Sequence, residues 1–367
     1  MSATPTQANK DDRLSIKSMS LKTACASFMI AFGMLTSAHA TISCAGYLPN
    51  SYFERIENNV KFAGKLTEQA DGSQQLQDLN GNVVLDSLTD AYIVMDTYLL
   101  AKQQGKYGVA NAAGEIIVPF KYDQIHIEPD IATSFIVSVG TTGIADNSEN
   151  TSKQGIINRH GNWIYPLADA RIQHAHYDPD YDQDYFIVTT KDGLTGLLDD
   201  RGYWAVMPQY DSMRPLNACT GDPLYMQVSS QDKTALIDQN NDVIIPLATH
   251  QHIELFNSYD EVPLFLRSTL IAGSSAEGMS EDIEDDIESA QIIDAHGKLR
   301  LSSDAPISKL LYHQLYTYKQ AGKIGFVNSK ADVVLAPQFN SYRDDGDEVL
   351  LEKQGKMLRL EHFIDLE

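Results

Sequence analysis

An all-β repeat protein of about seven hairpin-rich units is the fold this sequence predicts, and three observations predict it. The first is a frame that recurs from end to end: a small residue, three steps to Asn or Asp, three steps to Gly, an apolar run, then Pro. The second is the residue choice inside each copy, where β-branched and aromatic residues flank a short polar turn. The third is the interval between copies, 33 to 56 residues, which is the range of repeat architectures.

The clearest copy runs from Gly105 to Ile125. Tyr107, Val109 and the run Ile116, Ile117, Val118 are strand formers on either side of Asn111 to Gly114, whose Gly takes positive φ without steric cost. Pro119 has no N–H to give a ladder and ends the second strand, and Tyr122-Asp123 opens the next segment. The same frame fits Gly155, Asn158, Gly161 and Pro166, and again Gly196, Asp199, Gly202 and Pro208. Ala235, Asp238, Asn241 and Pro246 fit with Asn at the turn, which the left-handed region tolerates. Gly325, Asn328, Ala331 and Pro337 fit with Ala there, and weaker copies centre on Asp78 with Gly81 and Asp294 with Gly297. The pivots are therefore Asp78, Asn111, Asn158, Asp199, Asp238, Asp294 and Asn328.

From residue 76 to about 360 the chain resembles the bacterial WG-repeat family, whose units read roughly GKWGyid..GkvviPp.YD, and Gly105 to Asp123 is the best copy. The Trp of the Trp-Gly pair is replaced by Tyr107, Thr195 or Ile324. The resemblance implies a β-rich repeat scaffold, often on secreted or envelope proteins, and no catalytic residues.

Residues 1–40 read as a signal peptide. Lys17 and Lys22 give a positive start, Ala24 to Leu35 an apolar core, and Ala38-His39-Ala40 a small-x-small cleavage site. The segment before Met19 is polar and contributes nothing to a signal, so translation from Met19 is the expectation. The apolar core is shorter than the ~20 residues of a membrane span, so a single anchor is the second choice and no span is expected after cleavage. Removal of residues 1–40 moves the formal charge from −22 to −24. So acidic a surface repels phosphate backbones and excludes nucleic acid as a partner.

Residues 41–75 read as a lead-in, with a short helix near 51–60, and residues 76–367 as the repeat domain. Cys44 and Cys219 remain after cleavage and would pair as one disulfide in an oxidising compartment. A lipid-modified Cys44 would need an aliphatic residue where Thr41 stands. Further strands are expected at 134–139, 185–190, 224–228, 263–267 and 348–352, so that each unit holds up to four. Four strands in about 42 residues, seven times, describes a β-propeller-like ring, closed if 355–360 pairs with strands near Leu76. The alternative is an open, curved array of hairpins, which tolerates unequal units.

Two acidic stretches stand out. Residues 276–290, AEGMSEDIEDDIESA, read as a solvated insert without the turn Gly of a Ca²⁺ loop. In the second, Asp178, Asp180, Asp182 and Asp184 alternate behind His174 and His176. Alternate residues of a strand share a face, so these six side chains are the candidate metal ligands, for Ca²⁺ or a transition metal. His126, His250 and His252 lie in corresponding segments of other units. A solvated loop is the plainer reading of each.

Tyr312, Tyr316 and Tyr318 alternate in one segment, and Trp163, Tyr203 and Trp204 follow hairpin turns. Such rings build sugar-stacking platforms, although alternating Tyr also packs half-buried sheets. No nucleophile elbow, zinc-protease motif, phosphate loop or dinucleotide fingerprint is present. The expectation is an exported binding module of the bacterial envelope, periplasmic or secreted, taking a protein or glycan partner without a catalytic role or obligatory cofactor. A cation-binding envelope protein is the alternative, and a carbohydrate hydrolase built on paired carboxylates a weaker one.

Overall fold

A computed structural model describes residues 64–94, 97–111, 113–127, 134–140, 152–178, 183–216, 224–257, 262–271, 286–310, 314–346 and 348–364. They form 29 strands in seven antiparallel sheets. Each sheet is a meander in which sequence neighbours are hydrogen-bonded neighbours: sheet 1 (65–122) has six strands, sheets 2 to 6 (124–168, 170–210, 212–248, 251–303, 308–339) have four each, and sheet 7 (341–359) has three.

The pivot residues explain why the frame recurs. At all seven, the side-chain Oδ1 accepts the N–H groups two and four residues later at 2.8–3.0 Å. The pivot's own N–H bonds the carbonyl four residues on, and its carbonyl accepts the N–H three residues on. One Asx side chain thus closes the hairpin of each unit, as only a short polar side chain can. The third residue after the pivot must then adopt positive φ, from 61° at Ala331 to 85° at Gly202, which is why Gly holds most of these places.

In two units the small residue before the pivot answers to the proline after it. A Cβ at Gly196 would meet Val206 O at 2.5 Å and Pro208 N at 2.7 Å, and one at Gly325 would meet Leu335 O at 2.7 Å and Pro337 N at 2.9 Å. The last strand of each of these sheets breaks register opposite its neighbour, bringing its backbone close there. The Asp of the Tyr-Asp pair caps the following hairpin: Asp123 Oδ2 accepts the Gly140 N–H at 2.9 Å and Asp211 Oδ2 the Gln231 N–H at 2.8 Å.

Most of the core lies between sheets, with one further cluster inside sheet 1 around Leu76, Leu88 and Leu99. Buried clusters join sheet 1 to 2 through Tyr122 and Phe135, 2 to 3 through Ile156 and Phe186, 3 to 4 through Leu197 and Met226. They continue from 4 to 5 through Leu236 and Phe265, 5 to 6 through Ile292 and Val327, and 6 to 7 through Phe326 and Leu351. Turn glycines add backbone contacts between neighbours, since a Cβ at Gly202 in sheet 3 would lie 2.8 Å from Ile164 O in sheet 2.

Among the described residues no cluster joins sheet 1 to sheet 7. The closing strand expected at 355–360 does not pair near Leu76. Lys356–Arg359 pairs with Val349–Lys353 inside sheet 7, and Gln74–Gln77 pairs within sheet 1. The all-β reading stands, in the form of an open array of hairpin sheets. Two boundaries differ from expectation. Lys65–Glu68 is already a strand of sheet 1, inside the stretch read as lead-in, and the end of the acidic insert is strand Ile287–Asp294, where Ala290 and Ile292 reach the core.

Candidate functional site

Sheet 3 carries the residues singled out as metal ligands, on Ala170–Asp178 and Gln183–Thr190. These strands pair His174 with Phe186 and His176 with Tyr185, with a register shift at Ala175 between the two. Phe186 and Tyr185 are consecutive and face opposite sides, so the bulge sends the two imidazoles to opposite faces. The expectation that an H-x-H pair shares one face is corrected by that extra residue. The acidic residues divide likewise: Asp184 pairs with Tyr177 and Asp178 with Gln183, one position out of phase. Asp180 and Asp182 lie outside the described residues, as do Cys44 and Cys219.

On the face toward sheet 2, His174 Nε2 lies 2.9 Å from Asp184 Oδ1 and its ring meets Phe186 edge-on at 5.6 Å. Asp184 is completely buried, its Oδ2 has no hydrogen-bond partner, and its carbonyl accepts the Asp200 N–H at 2.9 Å. Burial, with Asp184 and Asp199 nearby, holds the Asp200 carboxyl above its ordinary range. On the face toward sheet 4, Asp199 takes Arg201 Nη2 at 2.6 Å and Nε at 2.9 Å, with Gln183 Nε2 at 3.3 Å. Burial pushes the Tyr185 phenol up, reinforced by Asp178 and Asp199. Asp199 is therefore first a turn-closing pivot.

Among the described residues no three His, Cys, Asp or Glu side chains are grouped to hold a metal ion. The other histidines belong to separate sheets. His126 pairs with Ile136 in sheet 2, and His252 pairs with Ser268 in sheet 5 with its Nε2 3.7 Å from Glu254 Oε2. His250, at φ 53°, gives its carbonyl to the Leu270 N–H.

The aromatic groups separate cleanly. Tyr318 is core between sheets 5 and 6, and Tyr316 packs on Phe256 at 4.4 Å, so neither is part of an open platform; Tyr312 lies outside the described residues. Trp163 and Tyr203 are open, at 45 % and 70 % exposure, and Trp204 is half-buried. Their place just after the pivot turn was visible in the sequence. Their exposure was not, because it depends on how one sheet stacks on the next.

Fold and site together define a β-repeat array whose unit is an Asx-closed meander; the prolines expected to end strands, Pro119 among them, lie inside the last strand of their sheets, which runs on past them. The family model described as a WG containing repeat matches residues 107–127, so the chain carries a WG-type repeat, in the copy where the frame is most complete. No curated protein matches the chain in sequence. Among solved structures, Sqt1 of Saccharomyces cerevisiae is similar over 82% of this chain and 93% of its own, at 11% identity and a TM-score of 0.27. Dihydro-heme d1 dehydrogenase NirN is similar over 74% of this chain and 63% of its own, at 12% identity and a TM-score of 0.30. Likenesses this weak say nothing of what the chain does.

Proposed function

We propose that the chain is an exported, acidic interaction module of the bacterial cell envelope that presents a protein- or glycan-binding surface. The observation that carries this reading is the placement of the core. Apolar side chains are buried between consecutive sheets, so turns and connecting loops are left to vary, as pivot spacings from 33 to 56 residues do. A scaffold that repeats one unit and varies its loops is suited to extended recognition. The Ala38-His39-Ala40 site and the formal charge of −22 support export and argue against nucleic acid.

N-terminal sequencing of the protein from fractionated cells is the test of location. A chain beginning at Thr41 in the envelope fraction is expected, and an uncleaved chain in the cytosol would overturn the reading. Cross-linking in intact cells, from a photoreactive residue placed in each loop in turn, should then yield one discrete adduct from a subset of positions.

A cation-binding role is the second reading, favoured by the buried Asp184 oxygen that lacks a partner beside His174. A ligand held only by the folded state raises stability by RT ln(1 + [L]/Kd). Thermal melts with chelator, then Ca²⁺, Zn²⁺, Cu²⁺ and Ni²⁺, should show a saturable rise for one ion that His174→Ala abolishes. No rise with any ion retires this reading.

A further inference from the structure

Sheet 5 departs from the sheets on either side of it at one pair of residues. In five units the residue three before the pivot is small, and it is paired with a buried apolar residue of the neighbouring strand, in turn Ala101, Val137, Val188, Val228 and Tyr318. Before Asp294 the same pair is Gln291 and Arg267. The Arg267 side chain enters the seam between sheets 4 and 5, because its pair Ile253 and its second neighbour Phe265 both belong to the cluster those sheets share. Among the described residues it makes one hydrogen bond, from Nη1 to Gln291 Oε1 at 3.4 Å, and no ion pair, and its Nε is buried without a partner. Gln251 is its diagonal neighbour on the same face. That amide is buried and donates to the carbonyls of Thr234 and Pro246 on sheet 4, which leaves Gln251 Oε1 buried without a partner. From the other side of the seam comes Arg214, in register with Gln227 and with Leu236 of the shared cluster; its Nη2 donates to Gln227 Oε1 at 2.8 Å.

We propose that the seam between sheets 4 and 5 binds a carboxylate that carries an N–H or O–H donor beside it, as a small hydroxy acid or a peptide C-terminus does. Such a site is independent of the interaction-module role. A guanidinium set where other units bury Ala, Val or Tyr, with a buried donor and a buried acceptor left unpaired around it, costs stability that a ligand restores. Arg201 shows which edge this chain turns to a carboxylate, giving Nε and Nη2 to Asp199. Arg267 spends Nη1 on Gln291, so the same Nε and Nη2 edge faces the ligand, in the fork geometry that matches two carboxylate oxygens. Gln251 Oε1 takes the neighbouring donor. Both arginines are tied to neutral glutamines, which leaves their charge uncompensated, and Arg214 stands exposed on the edge strand Ser212–Pro215, where it draws an anion toward the seam.

The full chain is titrated calorimetrically with lactate and with acetyl-trialanine, and in parallel with propionate, which lacks the hydroxyl, and acetyl-trialanine amide, which lacks the charge. Saturable binding of lactate or of acetyl-trialanine is expected, and whichever binds identifies the source as a free acid or a peptide end. Its matched probe should bind about tenfold more weakly or worse. Arg267→Gln and Arg267→Lys should each weaken binding about tenfold or more, the second because an ammonium keeps the charge but not the fork. Arg300→Gln, at an exposed arginine of the same sheet, should bind as the unaltered chain does. Should the Arg267 variants melt early, Arg214→Gln at the exposed mouth supplies a folded comparison, again with weakened binding expected. No binding of either acid, a matched probe that binds as tightly as its acid, or binding unaltered in the folded arginine variants of the seam overturns the proposal.

Discussion

One side-chain oxygen per unit holds each hairpin, which makes the pivot the most exacting position of the repeat. Replacing Asn158 by Ala removes two hydrogen bonds from exposed N–H groups of the turn, each of net value about 0.5–1.5 kcal/mol. Asn158→Ala should therefore lose about 1–3 kcal/mol in urea denaturation, whereas His160→Ala two residues on should stay within about 0.5 kcal/mol. Asp200 makes a prediction of the opposite sign. Its carboxyl is held above the ordinary value of 3.8, first by burial and then by Asp184 and Asp199. The folded state binds that proton more tightly than the unfolded chain, so stability falls as pH rises from the ordinary value through the raised one. Asp200→Asn should melt above the unaltered chain at neutral pH, with the gain closing below about pH 3; a gain that persists in acid would show that charge is not its cause.

Strands and turns were largely legible in the sequence because each rests on local chemistry. Ser134–Val139 falls where its apolar run placed it, and all seven pivots close the turn that an Asx followed by Gly, Asn or Ala announces. What the sequence hid was register. The bulge at Ala175 has no marker in RIQHAHYD, yet it decides that His174 and His176 face apart. The bend of Val83–Val94, with positive φ at Ser87 and Asp90, is equally unannounced. The prolines, by contrast, reveal their purpose only in the sheets. Sheets 2 to 6 each end in an edge strand, and an edge with unpaired N–H groups invites another chain. Pro246 interrupts that ladder in Val243–Ala248 while its carbonyl accepts Gln251 Nε2 at 2.9 Å. Pro246→Val restores the donor and leaves an unbroken apolar β-run, so it should keep the fold but associate, seen as rising light scattering with concentration. A variant that stays monomeric would place edge protection in the register shift of that strand rather than in the proline.

Because six of the seven buried clusters among the described residues are shared by two consecutive sheets, stability is passed along the array from neighbour to neighbour. Phe265 sits at the middle of that chain of contacts. It is fully buried between sheets 4 and 5, among Leu236, Ile245, Ile253 and Ile293, and its ring meets Tyr225 at 5.1 Å. Truncation to Ala should cost about 3–5 kcal/mol, from lost burial and the cavity left behind. In a compact domain with one core, that loss would lower a single melting transition. Here sheets 1 to 3 keep the clusters that join them, through Phe135 and Phe186, and sheets 6 and 7 keep theirs, through Phe326 and Leu351. Phe265→Ala should therefore split the melt in two, and limited proteolysis should cut first within 212–303 while leaving a fragment of sheets 1 to 3 resistant. Closure would reverse the expectation, because sheet 7 packed on sheet 1 would give each end a second support. One cooperative transition, with cleavage spread evenly along the chain, would mean that the terminal sheets hold each other after all.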